Sequence, residues 1–140
     1  MRELPPKDLR RILVVEDELL LRDLIVDILA EAGFATSGAC CAGEAIQLLQ
    51  NQQAIAQEIA AVVTDVDMPG ELDGIGLAAR VNEIWPWIGV VITSGAHRGA
   101  ALALRPPALF LAKPFRADRL IAAVRSVTEA RLASPQRRAS

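Results

Sequence analysis

The chain has 140 residues, of which 52% are apolar, and its 17 acidic and 15 basic side chains give a net charge of −2. This length and composition fit one domain with a sizeable core and exclude a largely disordered chain. No apolar run approaches the roughly 18 residues that cross a membrane, and the first residues lack the apolar stretch of a secretory signal. We therefore expect a cytoplasmic protein without a membrane anchor.

The charge is unevenly distributed along the chain. The last ten residues contain three arginines and no acid, which leaves a net charge of −5 on residues 1–130. A body this acidic argues against a nucleic-acid-binding surface, so direct DNA binding is not expected. We interpret residues 1–10 as a polar lead-in and residues 131–140 as a flexible basic tail. We interpret the adjacent Cys40 and Cys41 as ordinary small residues of a protein in a reducing cytoplasm, with no disulfide or zinc site.

Short apolar runs alternate with helix-length segments along the chain. Runs of four to six residues are typical of buried strands, and apolar residues at helical spacing indicate helices packed on a sheet. In chain order the sequence predicts a strand at 11–15, a helix from Leu20 to Ala32, a strand at 34–39, a helix from Gly43 to about Gln53, a strand at 60–65, a helix at 75–84, a strand at 88–93, a short helix ending by Pro106, a strand at 108–112 and a helix at about 116–132. This βαβαβαβαβα order predicts an α/β fold with a five-stranded parallel sheet, doubly wound by helices on both faces.

Polar side chains stand where four of the predicted strands end. Glu16 and Asp17 follow the first strand, Asp65 ends the third, Thr93 ends the fourth and Lys113 follows the fifth. The carboxyl ends of parallel strands meet at one edge of a sheet, where open α/β sheets bind ligands. Acids bind a hard cation, and a cation with an ammonium and a hydroxyl binds a phosphoryl group. We therefore expect a cation and phosphoryl site at this edge.

Five segments resemble, in order and spacing, the response-regulator receiver domain of bacterial two-component signalling. They are Ile12–Glu18, Thr64–Pro69, Asp73–Gly74, Thr93–Gly95 and Lys113–Phe115. Each segment alone is weakly specific, but all five on the expected strand pattern are highly specific. The resemblance covers residues 11–130 and implies a flavodoxin-like three-layer fold. The five segments together resemble single-domain receivers, so we expect no output domain after the last helix.

The resemblance implies a phosphorylation-controlled switch. Asp65 would accept a phosphoryl group from a phosphohistidine on a sensor histidine kinase or a histidine phosphotransfer protein. Thr93 would donate its hydroxyl to the phosphoryl oxygens and Lys113 would pair with them. The phosphorylated protein would bind a downstream effector protein. Its own catalysis would be limited to self-catalysed phosphoryl transfer and slow autodephosphorylation, so it would not be an enzyme in the usual sense.

The resemblance also implies that Mg²⁺ is the cofactor. Asp17 would bind Mg²⁺ directly and Glu16 mostly through water. The Asp65 carboxylate and the backbone carbonyl of Asp67 would be further ligands. From the residues alone, Glu16 and Asp17 also suit the start of the following helix, where acids are favourable, so the pair can serve both purposes.

Two further features of the last predicted strand follow from the resemblance. Phe110 lies where receivers usually have a switch aromatic, although plain core packing explains this residue equally well. The peptide bond between Lys113 and Pro114 would be cis.

Two other functions are alternatives to the switch. A haloacid-dehalogenase-like phosphatase also uses a strand-end Asp with a second acid two residues later, as in Asp65 and Asp67. Its nucleophile usually lies on the first strand and its metal-binding acids follow the Lys, whereas here Asp65 ends the third strand and Glu16 comes first. An unphosphorylated pseudo-receiver, which only docks to a partner, would normally have lost one of the site residues, and here none is lost.

Overall fold

The computed structural model describes residues 11–51, 58–95 and 108–133, with side chains described as far as residue 129. The elements are β1 (Arg11–Val15), α1 (Leu19–Glu31), β2 (Ala35–Ala39), α2 (Ala42–Asn51), β3 (Ile59–Asp65), α3 (Gly74–Ile84), β4 (Gly89–Ser94), β5 (Ala108–Ala112) and α4 (Ala117–Ala133). The predicted lead-in, the short helix ending by Pro106 and the last residues of the predicted tail lie outside the described residues.

All five strands form one parallel sheet in the order β2-β1-β3-β4-β5. The change of direction after β1 is the topology of an open, doubly wound sheet. Each neighbouring pair runs in register to its carboxyl end, where Val15 lies beside Thr64 and Asp65 beside Thr93. The predicted α/β fold with a five-stranded parallel sheet is therefore confirmed.

Two apolar clusters pack on opposite faces of the sheet and make the molecule three-layered. One cluster joins the sheet to α2 and α3 through residues such as Leu49 and Leu77. The other joins it to α1 and α4 through residues such as Leu29 and Leu120. Because both faces of the central strands are covered, their bodies read as continuous apolar runs rather than as alternating ones.

Helix α1 buries less of its apolar sequence than the pattern from Leu20 to Ala32 indicates. Ile25 and Leu29 are buried against the sheet, but the side chains of Leu20 and Leu24 are 79% and 53% exposed. Positions 20 and 25 differ by about 140° around a helix of 3.6 residues per turn, so one packed face cannot cover both. Helical spacing predicted the helix correctly and overestimated its buried face.

The carboxyl end of α1 follows the sequence pattern. Gly33 has a φ of 102°, a left-handed conformation that glycine adopts without steric cost. The amide of Phe34 then donates to the carbonyl of Leu29 at 3.0 Å and leads the chain into β2. Within the described residues, no helix has the length and apolar character needed to cross a membrane.

Candidate functional site at the carboxyl edge of the sheet

Three of the predicted site residues converge from three different strands. Asp65 ends β3, Glu16 follows β1 and Lys113 follows β5. The Lys113 Nζ lies 3.2 Å from Asp65 Oδ2 and 3.9 Å from Glu16 Oε1. The ammonium therefore bridges two carboxylates in a nearly buried position, since Glu16 is 2% exposed and Asp65 7%.

Asp17 completes a group of three acids. Carboxylate oxygens of Glu16, Asp17 and Asp65 all lie within 4.8 Å of one another, and Asp17 is exposed at the mouth of the group. Like charges at such distances repel strongly where solvent screening is poor. One ammonium does not balance three carboxylates, so the group is complementary to a further cation.

Burial and the neighbouring charges change the pKa of Glu16. Burial, followed by repulsion from Asp65, raises the pKa of Glu16 to about 7, although a hydrogen bond from the Glu18 amide and the charge of Lys113 oppose this shift. The Glu18 amide donates to Glu16 Oε2 at 3.1 Å. The other oxygen, Oε1, is buried and has no hydrogen-bond partner among the described residues. Buried polar atoms nearly always form a hydrogen bond, so a carboxylate oxygen that has only a 3.9 Å ion pair with Lys113 and lies among two other acids indicates a ligand.

The donor set fits Mg²⁺. The cation prefers carboxylate and carbonyl oxygens, keeps several waters and needs few protein ligands. Glu16, Asp17 and Asp65 supply such oxygens, and Oε1 of Glu16, which lacks a hydrogen bond among the described residues, is the atom that a bound cation or its water would satisfy. Asp67 lies in the exposed segment that follows β3.

Thr93 and Lys113 are fixed to the edge through backbone hydrogen bonds. Thr93 is 1% exposed and pairs with Asp65 in the β3–β4 register. The amide of Val66 donates to its carbonyl at 3.0 Å. The amide of Lys113 donates to the Ser94 carbonyl at 2.8 Å and joins the ends of β4 and β5. The hydroxyl and the ammonium are thus carried by rigid strand ends on the side of Asp65 away from β1.

The peptide bond between Lys113 and Pro114 is cis. Phe110 is half-buried on β5, beside Ile92, and it packs against the apolar cluster between the sheet, α2 and α3. Phe110 therefore contributes to core packing, and its role as a switch aromatic stays a prediction.

Gly74 has a site role that the sequence pattern did not provide. A Cβ atom at Gly74 would overlap the backbone carbonyl of Asp65, and the Gly74 amide donates to the Val66 carbonyl at 2.9 Å. The preceding Asp73 caps α3 by accepting a hydrogen bond from the Gly76 amide at 2.9 Å. The start of α3 is therefore seated directly against the strand end that bears Asp65, which only a residue without a side chain permits.

The family model of the response regulator receiver domain matches residues 12–125 of this chain. Together with the parallel sheet and the acids at its carboxyl edge, this match defines a receiver domain. The chain belongs to the response regulator receiver domain family, and its function lies in two-component signalling. The phosphatase hypothesis is not favoured.

Comparisons with individual proteins agree with this assignment. The chain is 33% identical over 119 residues to the response regulator receiver protein CpdR of Brucella abortus, covering 81% of this chain and 92% of that one. It is 29% identical over 122 residues to a putative NtrX-like response regulator of Rickettsia bellii, covering 84% of this chain. It spans about a quarter of that relative's length, since it covers 24% of it.

Solved structures show the same fold. The crystal structure of a response regulator receiver protein from Sinorhizobium medicae superposes with a TM-score of 0.78 at 32% sequence identity. The match covers 88% of this chain and 97% of that one. A receiver domain protein from Clostridium thermocellum gives a TM-score of 0.77 at 27% identity and covers 90% of this chain.

Proposed function

We propose that this protein is a phosphorylation-controlled switch in which Asp65 accepts a phosphoryl group from a phosphohistidine. The donor is a sensor histidine kinase or a histidine phosphotransfer protein, and the phosphorylated form binds a downstream effector in the cytoplasm. The carrying observation is the buried group at the sheet edge, where Lys113 Nζ lies 3.2 Å from Asp65 Oδ2 and 3.9 Å from Glu16 Oε1, an oxygen without a hydrogen bond among the described residues.

The chain's own residues account for the transfer step. A carboxylate oxygen of Asp65 forms a bond to phosphorus while the donor's phosphorus–nitrogen bond breaks, and the electron pair of that bond leaves with the imidazole nitrogen. Negative charge is spread over the phosphoryl oxygens during the transfer. Lys113 and the Thr93 hydroxyl pair with those oxygens. They act in a largely buried site, where fixed charges and dipoles stabilise the transition state more than they would in water.

Mg²⁺ would be held by Glu16, Asp17, Asp65 and the backbone carbonyl of Asp67. When bound, it neutralises charge on the transferring phosphoryl group. The fit is supported by the three carboxylates within 4.8 Å and by the buried oxygen of Glu16 that has no hydrogen bond among the described residues. Without a cation, the repulsion within this group opposes the approach of an anionic phosphoryl donor.

The switch itself would run through β4 and β5. An acyl phosphate on Asp65 adds negative charge beside Thr93, its neighbour in the sheet register. Movement of the Thr93 hydroxyl toward that charge would open space for the half-buried Phe110 to turn inward. Two arrangements of one packed region, biased by a local charge, are a sufficient physical basis for a change in partner binding.

The proposed function is tested by intact mass measurement after incubation with acetyl phosphate and Mg²⁺. Wild-type protein should gain one phosphoryl group in a metal-dependent way, and Asp65→Asn protein should gain none. No gain in the wild type, or an equal gain in the variant, would contradict the proposal. Multiple turnover of p-nitrophenyl phosphate by the wild type would instead support the phosphatase hypothesis.

A further inference from the structure

Arg22, on the second turn of α1, points back to the sheet edge. Its Nη1 donates a hydrogen bond to the backbone carbonyl of Glu16 at 3.0 Å. A residue of the helix thereby contacts the turn that enters the helix, and that turn carries Glu16 and Asp17. Arg22 is half-buried in this position.

The stem of Arg22 passes close to Gly38 of β2 on its way to the Glu16 carbonyl. A Cβ atom at Gly38 would lie 3.5 Å from Arg22 Cδ and 3.7 Å from Arg22 Nε, which is ordinary van der Waals contact. The side chain therefore lies along the strand backbone where Gly38 leaves room. Packing of the aliphatic stem fixes the direction of the guanidinium and reduces the entropy lost when it forms its hydrogen bond.

The guanidinium also faces the neighbouring loop. Glu44, in the first turn of α2, accepts a hydrogen bond from the Cys40 amide at 2.6 Å. That bond chiefly lowers the pKa of Glu44, and the charge of Arg22 contributes in the same direction. The Glu16 amide in turn donates to the Ala39 carbonyl at 3.0 Å. Arg22 therefore lies where the β1–α1 turn and the β2–α2 loop meet.

The β1–α1 turn needs such support because its acids repel one another. Glu18, the N-cap residue of α1, makes no side-chain capping hydrogen bond among the described residues. Two backbone bonds anchor the turn, from the Glu16 amide to Ala39 and from the Arg22 amide to Glu18. Two side-chain bonds then orient it, from the Glu18 amide to Glu16 Oε2 and from the Arg22 guanidinium to the Glu16 carbonyl. Loss of the guanidinium bond removes the contact that holds the Glu16 carbonyl, so the peptide that links Glu16 to Asp17 can tilt relative to Asp65.

We propose that Arg22 is a positioning residue that holds the turn of residues 16–18 so that Glu16 and Asp17 face Asp65 in a cation-ready arrangement. This inference rests on the proposed function. It also predicts the direction in which removal of Arg22 changes the affinity for Mg²⁺. A positive charge near the site repels Mg²⁺, so removal of Arg22 would raise the affinity for Mg²⁺ if its charge were decisive. If its hydrogen bond is decisive, removal lowers that affinity.

Calorimetric titration of Mg²⁺ into three variants tests the direction of this change in affinity. Arg22→Met keeps the apolar stem and should raise the Kd for Mg²⁺ by about fivefold, as expected for one hydrogen bond worth about 1 kcal/mol. Arg22→Lys keeps a donor at the end of the side chain and should recover part of the affinity. Arg80→Met is the matched control, since Arg80 is exposed on α3, and it should bind Mg²⁺ like the wild type.

Phosphorylation by acetyl phosphate provides the second readout. Arg22→Met protein should need more Mg²⁺ to reach half its maximal rate, while its rate at saturating Mg²⁺ stays within about twofold of the wild type. Unchanged or tighter Mg²⁺ binding by Arg22→Met would overturn the inference and leave the proposed function standing. Absence of Mg²⁺ binding by the wild type would overturn both. If Arg22→Met protein does not fold, wild-type affinity in both Arg22→Lys and a milder Arg22→Gln variant would overturn the inference.

Discussion

The bodies and the carboxyl ends of the central strands are equally buried and chemically opposite. In the bodies, apolar residues such as Leu13 and Val62 are 0% exposed. At the ends, Glu16 is 2% exposed, Asp65 7% and Thr93 1%. Burial of apolar surface drives folding, whereas burial of a charge without full pairing opposes it. The sheet therefore gains its stability in the strand bodies and loses part of it at the strand ends, where the proposed phosphorylation site lies.

The largest effect should come from a strand body. Leu13→Ala should lower the free energy of unfolding by about 3 to 4 kcal/mol, because a fully buried leucine leaves a cavity between sheet and helices. Urea unfolding measures the change. Leu20→Ala, at a position 79% exposed on α1, is the matched control and should change stability by less than about 0.5 kcal/mol. Equal losses in the two variants would contradict the division between body and surface.

The next effect should come from the contact between α3 and the end of β3. Gly74→Ala should slow phosphorylation by acetyl phosphate about 100-fold, because the new Cβ displaces the carbonyl of Asp65 and with it the acceptor carboxylate. In Gly76→Ala, two residues along the same helix, the new Cβ comes too close only to the end of the flexible Leu72 side chain and lies at ordinary contact distance from Asp73 Oδ1, so this variant should phosphorylate at nearly the wild-type rate. Similar rates in both variants would show that Gly74 does not position Asp65.

A change at a strand end should stabilise the metal-free protein. The pKa of Glu16 is about 7 in the folded chain against an ordinary 4.5, so the folded state retains a proton that the unfolded state releases between these values. The free energy of unfolding therefore falls as pH rises from about 4.5 to 7, and it stays lower above pH 7. Glu16→Gln carries no such proton and should be about 2 kcal/mol more stable than the wild type at pH 8 without Mg²⁺.

Urea unfolding at pH 5 and pH 8 measures whether Glu16→Gln is more stable than the wild type and how the difference changes with pH. The advantage of Glu16→Gln should shrink at pH 5, where folded Glu16 is largely protonated. Glu83→Gln is a suitable control because Glu83 is exposed on α3. A wild type more stable than Glu16→Gln at pH 8 would show that Glu16 is adequately paired without a metal.

The smallest effect should come from the cap of α3. Asp73→Ala removes the acceptor of the Gly76 amide and should lower the free energy of unfolding by about 1 kcal/mol. Asp73→Asn keeps an oxygen acceptor at the same place and should cost only a few tenths of that. Thermal unfolding of both variants measures the difference, and an equal loss in the two would point to the charge of Asp73 rather than to its hydrogen bond.

The same contrast explains what the sequence could predict. Apolar runs predicted β1, β3, β4 and β5 to within a residue or two, and polar residues at their ends predicted the meeting of Glu16, Asp65 and Lys113. Both inferences use local pattern and a general rule of parallel sheets. The role of Gly74 depends on the approach of a helix to a strand end, and the contact of Arg22 depends on two loops meeting across β2. Neither contact can be predicted from the local periodicity of the sequence.

Backbone amide NMR spectra during a Mg²⁺ titration test most directly that the strand ends form a cation site. Shifts should follow a one-site binding curve and be largest at residues 16–18 and 65–67, with amides in the strand bodies nearly unchanged. A lack of saturable shifts would contradict this account. So would shifts centred on exposed acids of α1, such as Asp23 and Asp27, because Mg²⁺ would then be sampling general surface charge.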